Sequence, residues 1–217
     1  MIALASSCWA LALLQTSCIN MGKDTANVIY ISVPEQKLEL RYKGERVAVY
    51  GVSTSKFGVG DEPGTYRTPL GRMEVADKIG GGKKSGTVFK SRKPTGEVLP
   101  PNAPGRDPIV SRIIWLRGKE WGNKNAYARY IYIHGTPEER NIGRAVSYGC
   151  IRMRSADVID LYSRVGEGAR VEVRNAPLHE IVLPDLRPEF GSSDEEEPEP
   201  DPVRCGGERQ RLILPAG

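Results

Sequence analysis

The sequence predicts a mainly β domain with one short helix near its C-terminal end, and three observations carry that prediction. Leu38, Leu40 and Tyr42 alternate with charged residues, and Val47, Val49 and Gly51 resume the period of two after a short glycine-containing link. Turn-formers are plentiful, with 24 glycines and 16 prolines in 217 residues, which suits many short strands better than a helical bundle. One run after Ser155, comprising Val158, Leu161, Tyr162 and Val165, recurs at helical spacing.

Taken in order, residues 1–22 carry no charged side chain, and Ile2 to Leu14 is mostly apolar. That length fits an export segment better than a bilayer span, which needs roughly 20 apolar residues. Thr16-Ser17-Cys18 resembles the end of a bacterial lipobox, so Cys18 is the candidate for lipid attachment to a membrane. A freely secreted protein, an uncleaved anchor helix and a buried core helix without targeting meaning are the other readings. Val28 to Val33 reads as the first strand, followed by a hairpin about Lys43-Gly44-Glu45.

Phe57 to Gly71 is a loop of several turns, in which Pro69 forces Thr68 toward an extended conformation. Gly80-Gly81-Gly82-Lys83-Lys84-Ser85 lacks the spacing of a phosphate loop, and Pro94, Pro100, Pro101 and Pro104 oppose the helix such a loop needs. Nucleotide binding is thereby excluded. Residues 77–108 read as a long, mobile, basic excursion, either a solvated insertion or a lid over a site. Ile109–Leu116 and Ala128–Ile133 read as paired strands, with Trp115 and Trp121 as core or platform residues. Ser155 is the expected helix cap, Gly166 or Gly168 the stop, and Ala169 to Arg174 a closing strand.

Charge divides the chain. From Asp185 onward nine acidic residues face four basic ones, a balance of −5, which leaves +9 for residues 1–184 of the overall +4. Ser192 to Pro202 holds six acidic residues and three prolines with no base, the composition of a disordered tail. A basic body suits an anionic partner such as a nucleic acid, an acidic membrane surface or a carboxylate-rich wall polymer. Nucleic acid is set aside because no binding motif accompanies the charge. Cys8, Cys18, Cys150 and Cys205 show no metal-ligand spacing with each other or with His134 and His179, so neither metal nor other cofactor is expected.

The chemistry concentrates in Ile131–Met153. His134 stands at the exit of an alternating run, and Cys150 follows sixteen residues later between Gly149 and Ile151. A thiol with an imidazole base is the minimal pair for nucleophilic catalysis. The run His134-Gly135-Thr136 with Ser147-Tyr148-Gly149-Cys150-Ile151-Arg152-Met153 resembles the signature of the L,D-transpeptidases of the YkuD/ErfK family. Thr68-Pro69-Leu70-Gly71 resembles that family's second element, and the opening hairpin is similar to its first strands.

The resemblance implies a YkuD-like β-sandwich over residues 26–175, between an export segment at 1–22 and an acidic tail at 176–217. It implies Cys150 as nucleophile and His134 as general base and acid, oriented by the Gly135 carbonyl. Gly149 shapes the oxyanion turn, Ser147 fixes the loop, and Arg152 and Tyr148 belong to the substrate side. Arg152 has a structural ion pair as its alternative, and Tyr148 stands where many relatives have histidine. The implied substrate is a peptidoglycan stem peptide, acylated onto Cys150 as a thioester and passed to an amine on another stem or an envelope protein. Carbapenems are the expected acylating inhibitors. An L,D-carboxypeptidase or amidase, or a non-catalytic wall-binding module, are the alternatives.

Overall fold

A computed structural model describes residues 22–181. The expected export segment, with Cys8 and Cys18, and the acidic stretch with Cys205 lie outside the described residues. Among the described residues ten strands and one α-helix follow one another: β1 (Asn27–Ser32), β2 (Lys37–Tyr42), β3 (Glu45–Gly51), β4 (Gly71–Ile79), β5 (Thr87–Lys90), β6 (Lys93–Val98), β7 (Ile109–Gly118), β8 (Tyr132–Gly135), β9 (Ile151–Met153), α1 (Ser155–Arg164) and β10 (Arg170–Arg174).

The strands form one hydrogen-bonded sheet in the order β3-β2-β1-β10-β4-β7-β5-β6, while β8 pairs with β7 and β9. Its two halves close over a common core. Ile29, Ile31, Leu38, Leu40, Met73 and Val171 from the first half meet Ile114, Leu116, Ile133, Ile151 and Met153 from the second, and Val158 and Leu161 of α1 seal it. The expected sandwich is thus a single sheet folded over itself, with apolar residues every second position. The β2–β3 hairpin turns at Lys43 and Gly44, both at positive φ, which matches the right-handed twist of the flanking strands.

Three expectations are corrected. Residues 77–108 are not an unstructured excursion: β4 runs on to Ile79 and β5 and β6 form a hairpin, whose edge position in the sheet tolerates Pro94. The expected pairing with β7 is present through Tyr132 and Ile133, but the strand starts at Tyr132 and not at Ala128, because Arg129, Tyr130 and Ile131 bond back to Asn125, Tyr127 and Ala126 as turns. Ser155 opens α1 without capping it; Arg154 takes the cap position, and the Ser155 N–H donates to Glu139 Oε1 at 2.8 Å. The helix runs to Arg164 with Val165 as its cap, so Gly166 follows directly at the expected stop. In addition, residues 176–181, assigned to the tail from sequence, pack on the body: Leu178 and Ile181 are buried against Tyr30.

Candidate active site

Strand β8 lies between β7 and β9, and alternation divides its side chains. Ile133 enters the core, while Tyr132 and His134 take the opposite face. The parallel ladder sets His134 opposite Arg152 and Ile133 opposite Ile151. Cys150, two residues before Arg152, therefore lies on the face that carries His134. Two residues sixteen positions apart in the chain are thus brought to one face through a strand pairing.

His134 is 5% exposed, and its Nδ1 is 2.8 Å from the Gly135 carbonyl oxygen. A carbonyl only accepts, so Nδ1 carries the ring proton and Nε2 presents the lone pair. Burial pushes the imidazole down to about 4; the Gly135 carbonyl opposes the shift and Arg152 adds to it. Around Cys150, the Tyr132 N–H donates to Sγ and the thiol faces the Tyr130 carbonyl, both at 3.4 Å. Burial pushes the thiol up to about 11, against the Tyr132 N–H and the charges of Arg152 and Arg129. At neutral pH these shifts favour a thiol and an uncharged imidazole.

The turn before Cys150 is held from several sides. Gly149 has φ +116°, a conformation that side-chain-bearing residues rarely adopt. Ser147 is fully buried; its hydroxyl donates to the Cys150 carbonyl at 2.6 Å and accepts the Gly149 N–H at 3.2 Å. Thr68 Oγ1 donates to the Gly149 carbonyl at 3.0 Å while accepting the Ser55 N–H at 3.0 Å. Ser53 and Arg152 exchange backbone hydrogen bonds on the outer edge of β9. The Thr-Pro-Leu-Gly element, distant in sequence, is thus a clamp on the cysteine turn.

Arg152 pairs with Asp107 at 2.7 Å, and both side chains are largely buried. Thr136 Oγ1 donates to the other carboxylate oxygen of Asp107. The ion pair named as the alternative for Arg152 is therefore present. Tyr148 is 54% exposed and clusters with Phe57 and Tyr66, their ring centroids 5.6 to 5.9 Å apart. Lys56 Nζ donates to the Tyr148 hydroxyl at 3.0 Å and draws its pKa below the usual tyrosine value.

Sequence reasoning gave no role to Thr68, Asp107, Tyr130 or Tyr132. Thr68 carried a signal in its motif, and Asp107 stood as an acid in an otherwise basic stretch just before β7. Of the two tryptophans among the described residues, Trp115 stacks on Tyr127 at 4.0 Å and meets Tyr132 edge-on, whereas Trp121 is 83% exposed beneath Lys124. A recess of about 550 Å³, lined by Lys23, Glu74, Lys78, Tyr162 and Glu167 among others, includes none of the residues of the cysteine site.

The family defined as the L,D-transpeptidase catalytic domain, YkuD, matches residues 26–173. A curated relative described as "Probable L,D-transpeptidase YcfS" of Escherichia coli K12 is 32% identical over 155 residues, which cover 69% of this chain and 44% of that protein. "Probable L,D-transpeptidase YbiS" of the same organism is 40% identical over 63 residues, covering 27% of this chain and 21% of that protein. The chain thus spans less than half the length of these curated relatives. A crystal structure of L,D-transpeptidase 3 from Mycobacterium tuberculosis with a faropenem-derived adduct overlaps 69% of this chain and 60% of that one, at TM-score 0.44 and 20% identity. By the match to 26–173, which takes in both the cysteine turn and the Thr-Pro-Leu-Gly clamp, the chain belongs to the YkuD family of L,D-transpeptidase catalytic domains.

Proposed function

We propose that this protein is a cysteine-dependent acyltransferase acting on peptidoglycan stem peptides, with Cys150 as nucleophile. The observation that carries the reading is the shared face of Cys150 and His134, with the imidazole fixed as acceptor by the Gly135 carbonyl. His134 Nε2 takes the thiol proton as Sγ attacks the carbonyl of the third stem residue, and returns it to the departing terminal amine. The thioester conserves the energy of the cleaved peptide bond, so the second step needs no external energy source. An acceptor amine then attacks the thioester, gives its proton to His134 and releases Cys150.

A resting neutral pair is compatible with this sequence, because proton transfer accompanies attack and a separated thiolate–imidazolium pair is not required beforehand. The oxyanion formed on attack needs donors near the cysteine turn. The Gly149 N–H is already engaged by Ser147, so the Cys150 N–H is the turn's candidate donor. With Arg152 held by Asp107, its charge supports the site electrostatically and orders the β8–β9 pair. The proposed setting is the cell envelope, with a stem peptide or an envelope protein as acceptor.

The test is intact-mass spectrometry of the full chain incubated with a stem tetrapeptide. An adduct that maps to Cys150 with loss of the terminal amino acid is expected, and cross-linked product should follow when an amine acceptor is added. Hydrolysed peptide without cross-link, even at high acceptor concentration, would assign the carboxypeptidase activity instead. No adduct under any condition would leave a wall-binding module.

A further inference from the structure

The two arginines that act electrostatically on Cys150 are already neutralised. Arg129 pairs with Asp61 at 3.1 Å and Arg152 with Asp107 at 2.7 Å, all four side chains largely buried. A third arginine reaches the same wall from a different direction. Arg92 sits at the tip of the β5–β6 hairpin, its guanidinium 4.9 Å from the Trp115 ring centroid and 5.1 Å from that of Tyr130, with Nη1 3.5 Å from the Tyr132 hydroxyl. Among the described residues no carboxylate is paired with it.

The placement is built in several steps. Ser91 and Arg92 form a two-residue turn with φ of 50° and 65°, where a residue without a side chain would be unstrained. Trp115 cannot yield, because Tyr127 stacks on it and the Tyr127 carbonyl accepts its Nε1–H at 3.1 Å. The aromatics beneath Arg92 are the residues that surround the nucleophile: the Tyr132 N–H and the Tyr130 carbonyl each contact Cys150 Sγ. A guanidinium laid on aromatic rings keeps its edge N–H groups for a planar ligand, and a single uncompensated cation suits a monoanion better than a phosphate.

We infer that Arg92 is a specificity residue of the donor subsite, pairing with a carboxylate of the acyl donor while the reacting carbonyl lies at Cys150. This rests on the acyl-transfer reading above. The neighbouring Tyr130 and Tyr132 hydroxyls frame the carboxylate, and the β5–β6 hairpin becomes one wall of the substrate groove.

The experiment measures acylation of Cys150 by intact mass over time, using the full chain, a stem tetrapeptide, and the same peptide with each free carboxylate converted singly to a carboxamide. In the wild type, one carboxamide should react about tenfold to a hundredfold more slowly than the acid, which identifies the carboxylate read. Arg92→Gln should lose that preference by slowing on the acid donor alone, and Arg92→Lys should restore part of it as a point charge. If Arg92→Gln slows acid and carboxamide donors equally, Arg92 only pins the hairpin and the inference is overturned. A wild type that prefers none of the acids overturns it as well. A wild type acylated by no peptide is a separate result that removes the acyl-transfer reading itself. Thermal unfolding of each variant separates these outcomes from loss of fold.

Discussion

His134 Nδ1 lies 2.8 Å from the carbonyl oxygen of the residue that follows it, Gly135. Because the partner is backbone, the tautomer of the imidazole depends on where the chain runs at the end of β8. That path is narrow. A Cβ on Gly135 would stand 2.6 Å from the Val110 carbonyl oxygen and 3.2 Å from both Ser111 Cβ and Val158 Cγ1.

Gly135→Ala should therefore damage stability and activity together. Backbone cannot move aside as a flexible side chain can, so the overpacking costs on the order of 1–3 kcal/mol and displaces the carbonyl. Urea unfolding and Cys150 acylation rates check both effects. A variant with normal stability and normal acylation would show that the carbonyl does not govern the base.

Cys150→Ala and His134→Ala should each abolish turnover, whereas Tyr148→Phe should only slow it. Tyr148 is half-exposed and held by Lys56, outside the proposed proton-transfer pair. Product formation from a stem tetrapeptide and an amine acceptor, followed by chromatography, distinguishes the three.

The pH dependence of stability follows from burial of His134. The unfolded chain takes up a proton near 6.5 and the folded one only near 4, so the unfolded state binds more protons between those values. Stability is complete above about 6.5 and falls as the pH drops toward 4, by on the order of 3 kcal/mol. Urea midpoints at neutral and mildly acidic pH should converge more closely for His134→Gln than for the wild type. In the same protein the rate of Cys150 alkylation by iodoacetamide should keep rising toward pH 11, since burial holds the thiol protonated. A plateau already reached at neutral pH would reveal a preformed thiolate.

Thr68→Val removes one hydroxyl and keeps the shape. It strips the Gly149 carbonyl and the buried Ser55 N–H of their shared partner, at a cost of about 1–3 kcal/mol. Acylation should slow more than alkylation by iodoacetamide, because the turn, and not the thiol, is what loosens. Equal slowing of both would argue against the clamp.

Asp107→Leu should destabilise strongly, about 3–5 kcal/mol, by leaving Arg152 buried without its counter-charge. Combining it with Arg152→Met should recover much of that loss. The coupling energy from a double-mutant cycle in urea measures the pair, and additive losses would show that the two residues act independently.

Features that depend on neighbouring residues are readable directly along the chain. The alternation at 38–42 and 47–51 together with Lys43-Gly44 specifies the β2–β3 hairpin, and the Cys150 and His134 motifs mark the candidate site. Gly149 is legible for the same reason, since its backbone conformation is a local demand.

Tertiary structure decided the rest, because the partners are distant or disguised. The β5–β6 hairpin turns on Ser91 and Arg92 instead of an Asn-Gly pair, and its edge strand holds Pro94 and Gly96, so its pattern does not read as strand. The α1 N-terminus is satisfied by Glu139 from another segment, not by the serine beside it. Arg152 finds Asp107 only once β9 is laid beside β8, and Thr68 reaches Gly149 only when the loop after β3 folds back. Period and spacing tell which face a side chain takes; the chain path alone chooses what it meets there.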